Sequence, residues 1–328
     1  MRAIVTGGAG FIGSHMVDLL LERGIEVRVL DNLVAGRLNN LSHHSTDPRC
    51  VFEQVDVCNL ADNAPIFRDV EYVFHFAGIG DIVPSIERPR DYLKINVQGT
   101  VAVMEASRTA GVKKVIYAAS SSCYGLAKEL PTTEAAPIQP QYPYALSKYL
   151  GECVALHWNQ VYRLPVNCIR IFNAYGPRSR TTGAYGAVFG VFLAQKLKAK
   201  PFTVVGDGTQ TRDFVYATDV ARAFLAAAES EVSGEIFNLG SGSPQSVNRL
   251  VELLGGPVVH VPKRPGEPDC TWADTRKIRS RLGWSPGVSF EDGVAVMMQR
   301  IAAWADAPVW TSESIAVATQ KWFEHLDR

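Results

Sequence analysis

Tyr144 and Lys148 have the types and spacing for proton chemistry. Four residues apart on a helix, a phenol and an ammonium share one face. A free tyrosine titrates near pH ~10, too high for a general base at neutral pH, and a fixed cation beside it is the simplest way to lower that value. Upstream, Ser120, Ser121 and Ser122 end an apolar run, and a loop through Pro131, Pro137, Pro140 and Pro143 joins them to the tyrosine. Serines in a turn usually do only turn chemistry. At the carboxyl end of a strand, facing a candidate phenolate, a hydroxyl can also pass a proton.

These residues need a scaffold, and the first half of the chain spells one out. An apolar strand over Arg2 to Thr6 runs into Gly7-Gly8-Ala9-Gly10-Phe11-Ile12-Gly13 and then an amphipathic helix carrying Met16, Val17, Leu19, Leu20 and Leu21, ended by Gly24. The glycines read as Gly-x-x-Gly-x-x-Gly from Gly7 or as Gly-x-Gly-x-x-Gly from Gly8. Either way the backbone can approach a pyrophosphate, whose charge meets free amides and the positive helix end. The next strand, from Glu26, ends on Asp31-Asn32, where a dinucleotide fold places an acid for the adenosine ribose hydroxyls. An acid there repels a 2′-phosphate and favours NAD over NADP, although Arg37 is available to such a phosphate.

Further strands are expected over Cys50 to Val57, placing Asp56 where a carboxylate reaches an adenine, over Tyr72 to Phe76, and over Lys114 to Ser120. Phe76-Ala77-Gly78 and the following residues are small enough for close approach to a cofactor, and Asn96 is expected to open a helix. His75, inside an apolar strand, reads as a structural histidine. Strand–helix alternation predicts an α/β fold, a doubly wound parallel sheet of Rossmann type with ligands at the strands' carboxyl ends. Beyond a strand over Val166 to Phe172, a glycine-rich stretch runs to Gly190. Expected next are a helix from Val188 to Leu197, strands within Phe202 to Asp219, an alanine-rich helix from Asp219, a strand at Ile236 to Leu239, and helices over Val247 to Leu254, Phe290 to Ala305 and Ser312 to Leu326.

With 328 residues, 47% hydrophobic, 20% charged and zero formal net charge, the chain can bury a full core. Charge balance leaves no long-range field for nucleic acid or an acidic membrane. No secretory leader and no apolar run of membrane-spanning length is apparent. Six scattered cysteines without a Cys-x-x-Cys pair argue against structural zinc and disulfides. A cytoplasmic protein acting on small ligands, with no metal, is expected.

Together the motifs resemble an extended short-chain dehydrogenase/reductase of the nucleotide-sugar epimerase and dehydratase group, most closely the UDP-sugar 4-epimerases. They are TGGAGFIG (Thr6 to Gly13), DN (Asp31-Asn32), HFAG (His75 to Gly78), NVQGT (Asn96 to Thr100), SSSCYG (Ser120 to Gly125), YALSK (Tyr144 to Lys148), NAYGPR (Asn173 to Arg178), RDFVY (Arg212 to Tyr216) and FNLGSG (Phe237 to Gly242). The resemblance implies Ser120 as the hydroxyl bonded to the sugar's reacting oxygen, Tyr144 as general base, and Lys148 as holder of the nicotinamide ribose and depressor of the tyrosine pKa. NAD would be held by Gly7, Gly10, Phe11, Ile12, Gly13, Asp31, Asn32, Asp56, Val57, Phe76, Ala77, Gly78, Asn96, Tyr144 and Lys148. The nucleotide sugar would meet Ser122, Asn173, Val188, Val205, Arg212, Arg264 and Thr271, with the two arginines on the diphosphate.

The implied reaction is transient oxidation at carbon 4. Tyr144 takes the hydroxyl proton as hydride moves to NAD, and the 4-keto sugar turns about its diphosphate link to receive hydride on the other face. Two departures from the family pattern bear on this. Sugar 4,6-dehydratases usually carry an Asp-Glu pair where this chain has Ser121 and Ser122, which disfavours elimination. Thr271 aligns where a tyrosine confines the pocket to plain hexoses, so N-acetylhexosamines are expected to enter. The resemblance also implies a homodimer through the helices near Asn96 and Tyr144. Residues 1–175 and about 210–240 are expected to bind NAD, with Arg212 to Ala228 returning to the sheet, and 176–209 with 241–328 to form a smaller, discontinuous sugar-binding domain. Alternatives are another NDP-sugar-modifying enzyme (uronic-acid epimerase, decarboxylase, reductase or atypical dehydratase) and a non-enzymatic NAD sensor, though the sensor's usual mark is loss of Ser, Tyr or Lys.

Overall fold

The structure, a computed structural model, describes residues 1–179 and 187–326. Residues 180–186 of the glycine-rich stretch therefore lie outside the described residues. In chain order the elements begin β1 (Arg2–Thr6), α1 (Phe11–Glu22), β2 (Glu26–Asp31), β3 (Cys50–Gln54), β4 (Tyr72–His75), α2 (Ile82–Glu87) and α3 (Pro89–Leu93). They continue with α4 (Gly99–Ala110), β5 (Lys114–Ser120), α5 (Pro143–Tyr162), β6 (Val166–Ile171), β7 (Asn173–Tyr175), α6 (Val188–Leu197), β8 (Phe202–Val205), β9 (Thr211–Arg212) and β10 (Phe214–Tyr216). The remainder is α7 (Ala217–Glu229), β11 (Glu235–Leu239), β12 (Gln245–Ser246), α8 (Val247–Leu254), β13 (Val258–Val261), α9 (Arg276–Leu282), α10 (Phe290–Gln299) and α11 (Ser312–Leu326).

Seven parallel strands form the central sheet in the order β11-β6-β5-β4-β1-β2-β3. The order reverses at β1, next to β4, so the crevice for a ligand opens there. β4, β5 and β6 are buried along nearly their whole length, as strands covered on both faces must be. One covering layer packs α1 and α7 on one face, with Met16, Leu20, Phe224 and Phe237 fully buried. Opposite, Val103, Met104, Tyr117 and Ala155 bring α4 and α5 against the sheet. A separate core around Tyr175, Phe189, Phe192, Phe202, Phe214 and Trp304 holds α6, β8, α8 and α10 together.

Several elements differ from the sequence expectation. β3 stops at Gln54, because Asp56 accepts a hydrogen bond from the Cys58 amide (2.9 Å) and turns the chain into a short 3₁₀ segment. Asn96 lies inside a π-helical turn (Lys94–Gln98) between α3 and α4 rather than at a helix start, as suits a residue aimed at a site. The alanine-rich helix starts at Ala217, and the expected Phe290 to Ala305 helix breaks at Arg300 into α10 and a 3₁₀ turn. Arg212 and Tyr216 do not re-enter the large sheet: β10 pairs with β7 and β9 with β12 in separate two-stranded sheets. The chain returns through α7, packed on α1, and β11, paired with β6. No helix among the described residues is long and apolar enough to cross a membrane.

Candidate active site

The glycine turn between β1 and α1 is shaped by close approach. Gly7 has φ +68°, and a Cβ there would stand 2.7 Å from the Ala77 amide nitrogen, while one on Gly13 would run into the Gly7 carbonyl oxygen. Gly10 caps α1 in an extended conformation without a side-chain bond. The Phe11, Ile12 and Gly13 amides therefore have no partner within the helix, and they stand at its positive end. Asp31, nearly fully buried, accepts from the Ala9 amide (3.1 Å) and the Leu33 amide (2.8 Å), while burial pushes its carboxyl pKa up. Its neighbour Asn32 accepts from the Val34 amide (3.1 Å). Backbone donors and a buried acid fit a dinucleotide's pyrophosphate and ribose.

Across the turn, the strand-end segment after β4 is pinned by the Phe76 amide on the Thr6 carbonyl (3.0 Å) and the Ala77 amide on Thr6 Oγ1 (3.2 Å). Asn96 clasps the same segment, accepting from the Ile79 amide (2.9 Å) and donating to the Ile79 carbonyl (3.0 Å) and Ser147 Oγ (2.9 Å). A Cβ on Gly78 would lie 2.8 Å from Asn96 Oδ1 and 3.9 Å from Lys148 Nζ, so these three expected cofactor contacts do converge. Asp56 and Val57 stand at the cap after β3, with Val57 buried against Gly99 and the capped segment packed on the π-turn that carries Asn96.

Ser120 ends β5, accepts from the Ser122 amide (3.2 Å), and lies 2.8 Å from Ser122 Oγ. Pro143 starts α5, which brings the Tyr144 hydroxyl to 3.4 Å from Ser120 Oγ. The serine, the tyrosine and the following helix thus meet. The expected electrostatics differ. Burial raises the Tyr144 phenol pKa, and the hydrogen bond that lowers it comes from Ser120 rather than Lys148. Lys148 instead faces the Tyr117 ring, 4.5 Å from its centroid, and burial lowers its own pKa to about 8. The cost of desolvating the ammonium outweighs what the aromatic face and the nearby Glu152 carboxylate return.

Among the residues expected to meet the sugar, Thr271 Oγ1 donates to Asn173 Oδ1 (2.8 Å) and accepts from the Asp213 amide (3.1 Å). Arg212 pairs with Glu267 (2.8 Å), and Arg264 approaches the same carboxylate at 3.6 Å. A cavity of about 390 Å³ opens beside them, lined by Val205, Gln210, Arg212, Lys263 and Glu267 among others. Val188, at the start of α6, is half-buried and does not line it. A larger open groove, about 820 Å³, runs along the edge strand β3 and contains none of the expected site residues.

Four supporting groups escaped the sequence reading. Tyr142 stacks on Tyr144 (6.3 Å, 9°), and Asp81 lies near enough to push the Tyr144 pKa up. Glu152 forms a buried two-pronged ion pair with Arg170 (2.6 and 2.8 Å), whose other end reaches the Tyr124 hydroxyl (2.7 Å) and so braces α5 against the serine turn. Glu152 is four residues past Lys148 on the same helix face, which is a periodicity signal. Elsewhere, Asp18 on α1 receives His43 and His44 (both 2.8 Å) and Arg178 (2.7 Å). Arg178 brings the positive charge that a cation would otherwise bring to those ligand atoms.

Residues 3–240 match the NAD dependent epimerase/dehydratase family. A putative UDP-glucose 4-epimerase of Methanocaldococcus jannaschii is 37% identical over 309 residues, covering 92% of this chain and 97% of that protein. The solved UDP-N-acetylglucosamine 4-epimerase of Methanobrevibacter ruminantium, in complex with UDP-N-acetylmuramic acid, superimposes with a TM-score of 0.87 at 29% identity, covering 92% of this chain and 98% of that one. The UDP-glucuronic acid 4-epimerase of Bacillus cereus, solved with UDP-glucuronic acid and NAD, gives 0.86 at 30% identity, with 92% and 99% covered. The chain belongs to the NAD-dependent epimerase/dehydratase family, enzymes that work on nucleotide sugars with NAD as cofactor.

Proposed function

We propose that this enzyme epimerises a nucleotide sugar, a UDP-hexose or UDP-N-acetylhexosamine, at carbon 4 through a transient 4-keto intermediate. The observation that carries the reading is the Tyr144 hydroxyl 3.4 Å from Ser120 Oγ, with Ser121 and Ser122 where elimination would need carboxylates. NAD, when bound, supplies a hydride acceptor that gives the hydride back. Tyr144 removes the proton from the 4-hydroxyl and returns it, while Ser120, itself bonded to Ser122, holds that oxygen. Lys148 takes the nicotinamide ribose, Asp31 the adenosine ribose, and the Phe11 to Gly13 amides the pyrophosphate.

Arg212 and Arg264 grip the diphosphate of the sugar nucleotide, leaving the sugar loosely held so that it can present either face. Thr271, smaller than tyrosine, leaves room for an N-acetyl group. Residues 1–175 with about 210–240 serve NAD, and 176–209 with 241–328 serve the sugar nucleotide. A homodimer through α4 and α5 accounts for Leu146, Val161 and Tyr162 of α5 being exposed at 40%, 51% and 47%. A cytoplasmic location suits a user of NAD and nucleotide sugars.

Incubation with a panel of NDP-sugars without added NAD, followed by NMR, should give the 4-epimer at equilibrium with its substrate. An accumulating 4-keto product, loss of carbon dioxide or net NADH would replace the 4-epimerase reading by a dehydratase, decarboxylase or dehydrogenase. Thr271→Tyr should lower turnover of the N-acetylated pair by roughly tenfold while sparing the plain hexoses. Turnover of the N-acetylated pair unchanged in this variant would remove the pocket argument.

A further inference from the structure

The last helix, α11, reaches back to the candidate active site. Trp322 is 4% exposed, and its indole N–H donates to the Pro265 carbonyl at 2.7 Å. The Arg264 guanidinium lies over the same indole, 5.4 Å from the ring. Trp322 also meets Tyr142 (6.4 Å), which stacks on Tyr144. Leu326 lies beside this loop, since a Cβ added on Gly266 would come 4.0 Å from the Leu326 Cβ. α11 is itself anchored at two places. It packs against α2, and just before it the Trp310 carbonyl accepts from the buried Gln195 of α6 (2.7 Å).

We propose that α11 is part of the substrate site and that Trp322 is the positioning residue for Arg264, holding its guanidinium toward the diphosphate of the nucleotide sugar. This rests on the reading of Arg264 as a diphosphate ligand. An indole covers one face of a guanidinium and leaves the N–H edges, which make the paired bonds to phosphate, clear of the ring. The indole N–H fixes the backbone of the next residue, so one side chain sets both the position and the tilt of the arginine. A long side chain held this way loses less freedom on binding than one that must be ordered by the ligand.

The test uses the full-length protein with UDP as the probe, titrated by calorimetry, and NAD titrated in parallel. Arg264→Ala should weaken UDP binding. If it does not, the diphosphate reading of Arg264 fails and this inference falls with it. Trp322→Ala should weaken UDP binding roughly tenfold and raise the KM of the nucleotide sugar alike, with kcat within about twofold and NAD affinity unchanged. Trp322→Phe keeps a ring but loses the N–H, so it should fall between the two. It also serves if the alanine variant does not fold. In an Arg264→Ala background, Trp322→Phe should add nothing to the loss. UDP affinity within about twofold of wild type in Trp322→Phe and Trp322→Ala, with Arg264→Ala impaired, overturns the proposal. So does a matching loss of NAD affinity, which would mean general loosening.

Discussion

The glycine turn and the arginine loop both offer positive potential to an anion, but they are built in different ways. At the turn the donors are backbone amides, held because Gly7 and Gly13 allow strand, helix and the Ala77 segment to approach more closely than any Cβ permits. At the loop the donors are the side chains of Arg212 and Arg264, brought together through Glu267 and braced by Trp322. A backbone site is rigid and indifferent to the rest of its ligand, whereas a side-chain site can adjust and can be gated. On the proposed reading, in which the turn holds NAD and the loop the nucleotide sugar, that division suits a protein that keeps its cofactor while its substrate comes and goes.

The largest effect is expected where the two regions meet. Tyr144→Phe should lower kcat by roughly a hundred- to ten-thousandfold while leaving NAD and UDP affinity near wild type, as equilibrium titration would show. Full activity in that variant would remove Tyr144 from the chemistry. Within the turn, Gly13→Ala forces a Cβ into the Gly7 carbonyl and should cut NAD affinity by more than about tenfold. UDP binding should be little changed, because the arginine loop does not lean on that turn. Loss of both affinities together would mean that the two regions are not independent.

The loop responds in the opposite direction. Glu267 now neutralises the two arginines, so Glu267→Gln should tighten UDP binding by about threefold to tenfold at low salt, an effect that shrinks as salt is raised. Weaker UDP binding would show instead that the carboxylate orients the arginines for the ligand.

Legibility in the sequence follows the same division. The turn was readable because a strand, glycines, a helix and Asp31 follow one another within a single βαβ unit, and the same local periodicity placed β5 and α5, while the pairing of Tyr144 with Ser120 rested on the family resemblance. An effect of Lys148 on Tyr144 does not follow from their spacing, since helix spacing places two groups on one face without saying which neighbour each will meet. Here Tyr117 from β5 receives the ammonium. Glu267, Trp322 and Asp81 were not legible as site groups, because their partners come from distant segments and no spacing rule connects them. The π-turn at Asn96 was hidden too, since it interrupts a helical pattern that otherwise continues into α4.

His75 gives the smallest expected effect and the finest test of how the turn is held. It is fully buried, with Nδ1 2.7 Å from Thr6 Oγ1 and Nε2 3.1 Å from Thr100 Oγ1. The Thr100 hydroxyl donates to the Asn96 carbonyl (2.7 Å), so it accepts from His75 Nε2–H, and His75 Nδ1 accepts from Thr6. The ring is neutral in this relay, which runs from the Ala77 amide through Thr6, His75 and Thr100 to Asn96, and burial lowers its pKa to about 3. An unfolded chain binds the proton at its ordinary value of about 6.5 while the folded one refuses it, so this group's contribution is present above pH ~6.5 and is lost as pH falls toward ~3. His75→Gln removes the titration, and thermal unfolding followed between those limits should show a shallower acid decline than wild type, from a somewhat lower Tm at neutral pH. An unchanged slope would mean that the histidine already carries its proton in the fold, and the relay from Ala77 to Asn96 would have to be redrawn with a different donor at Thr6.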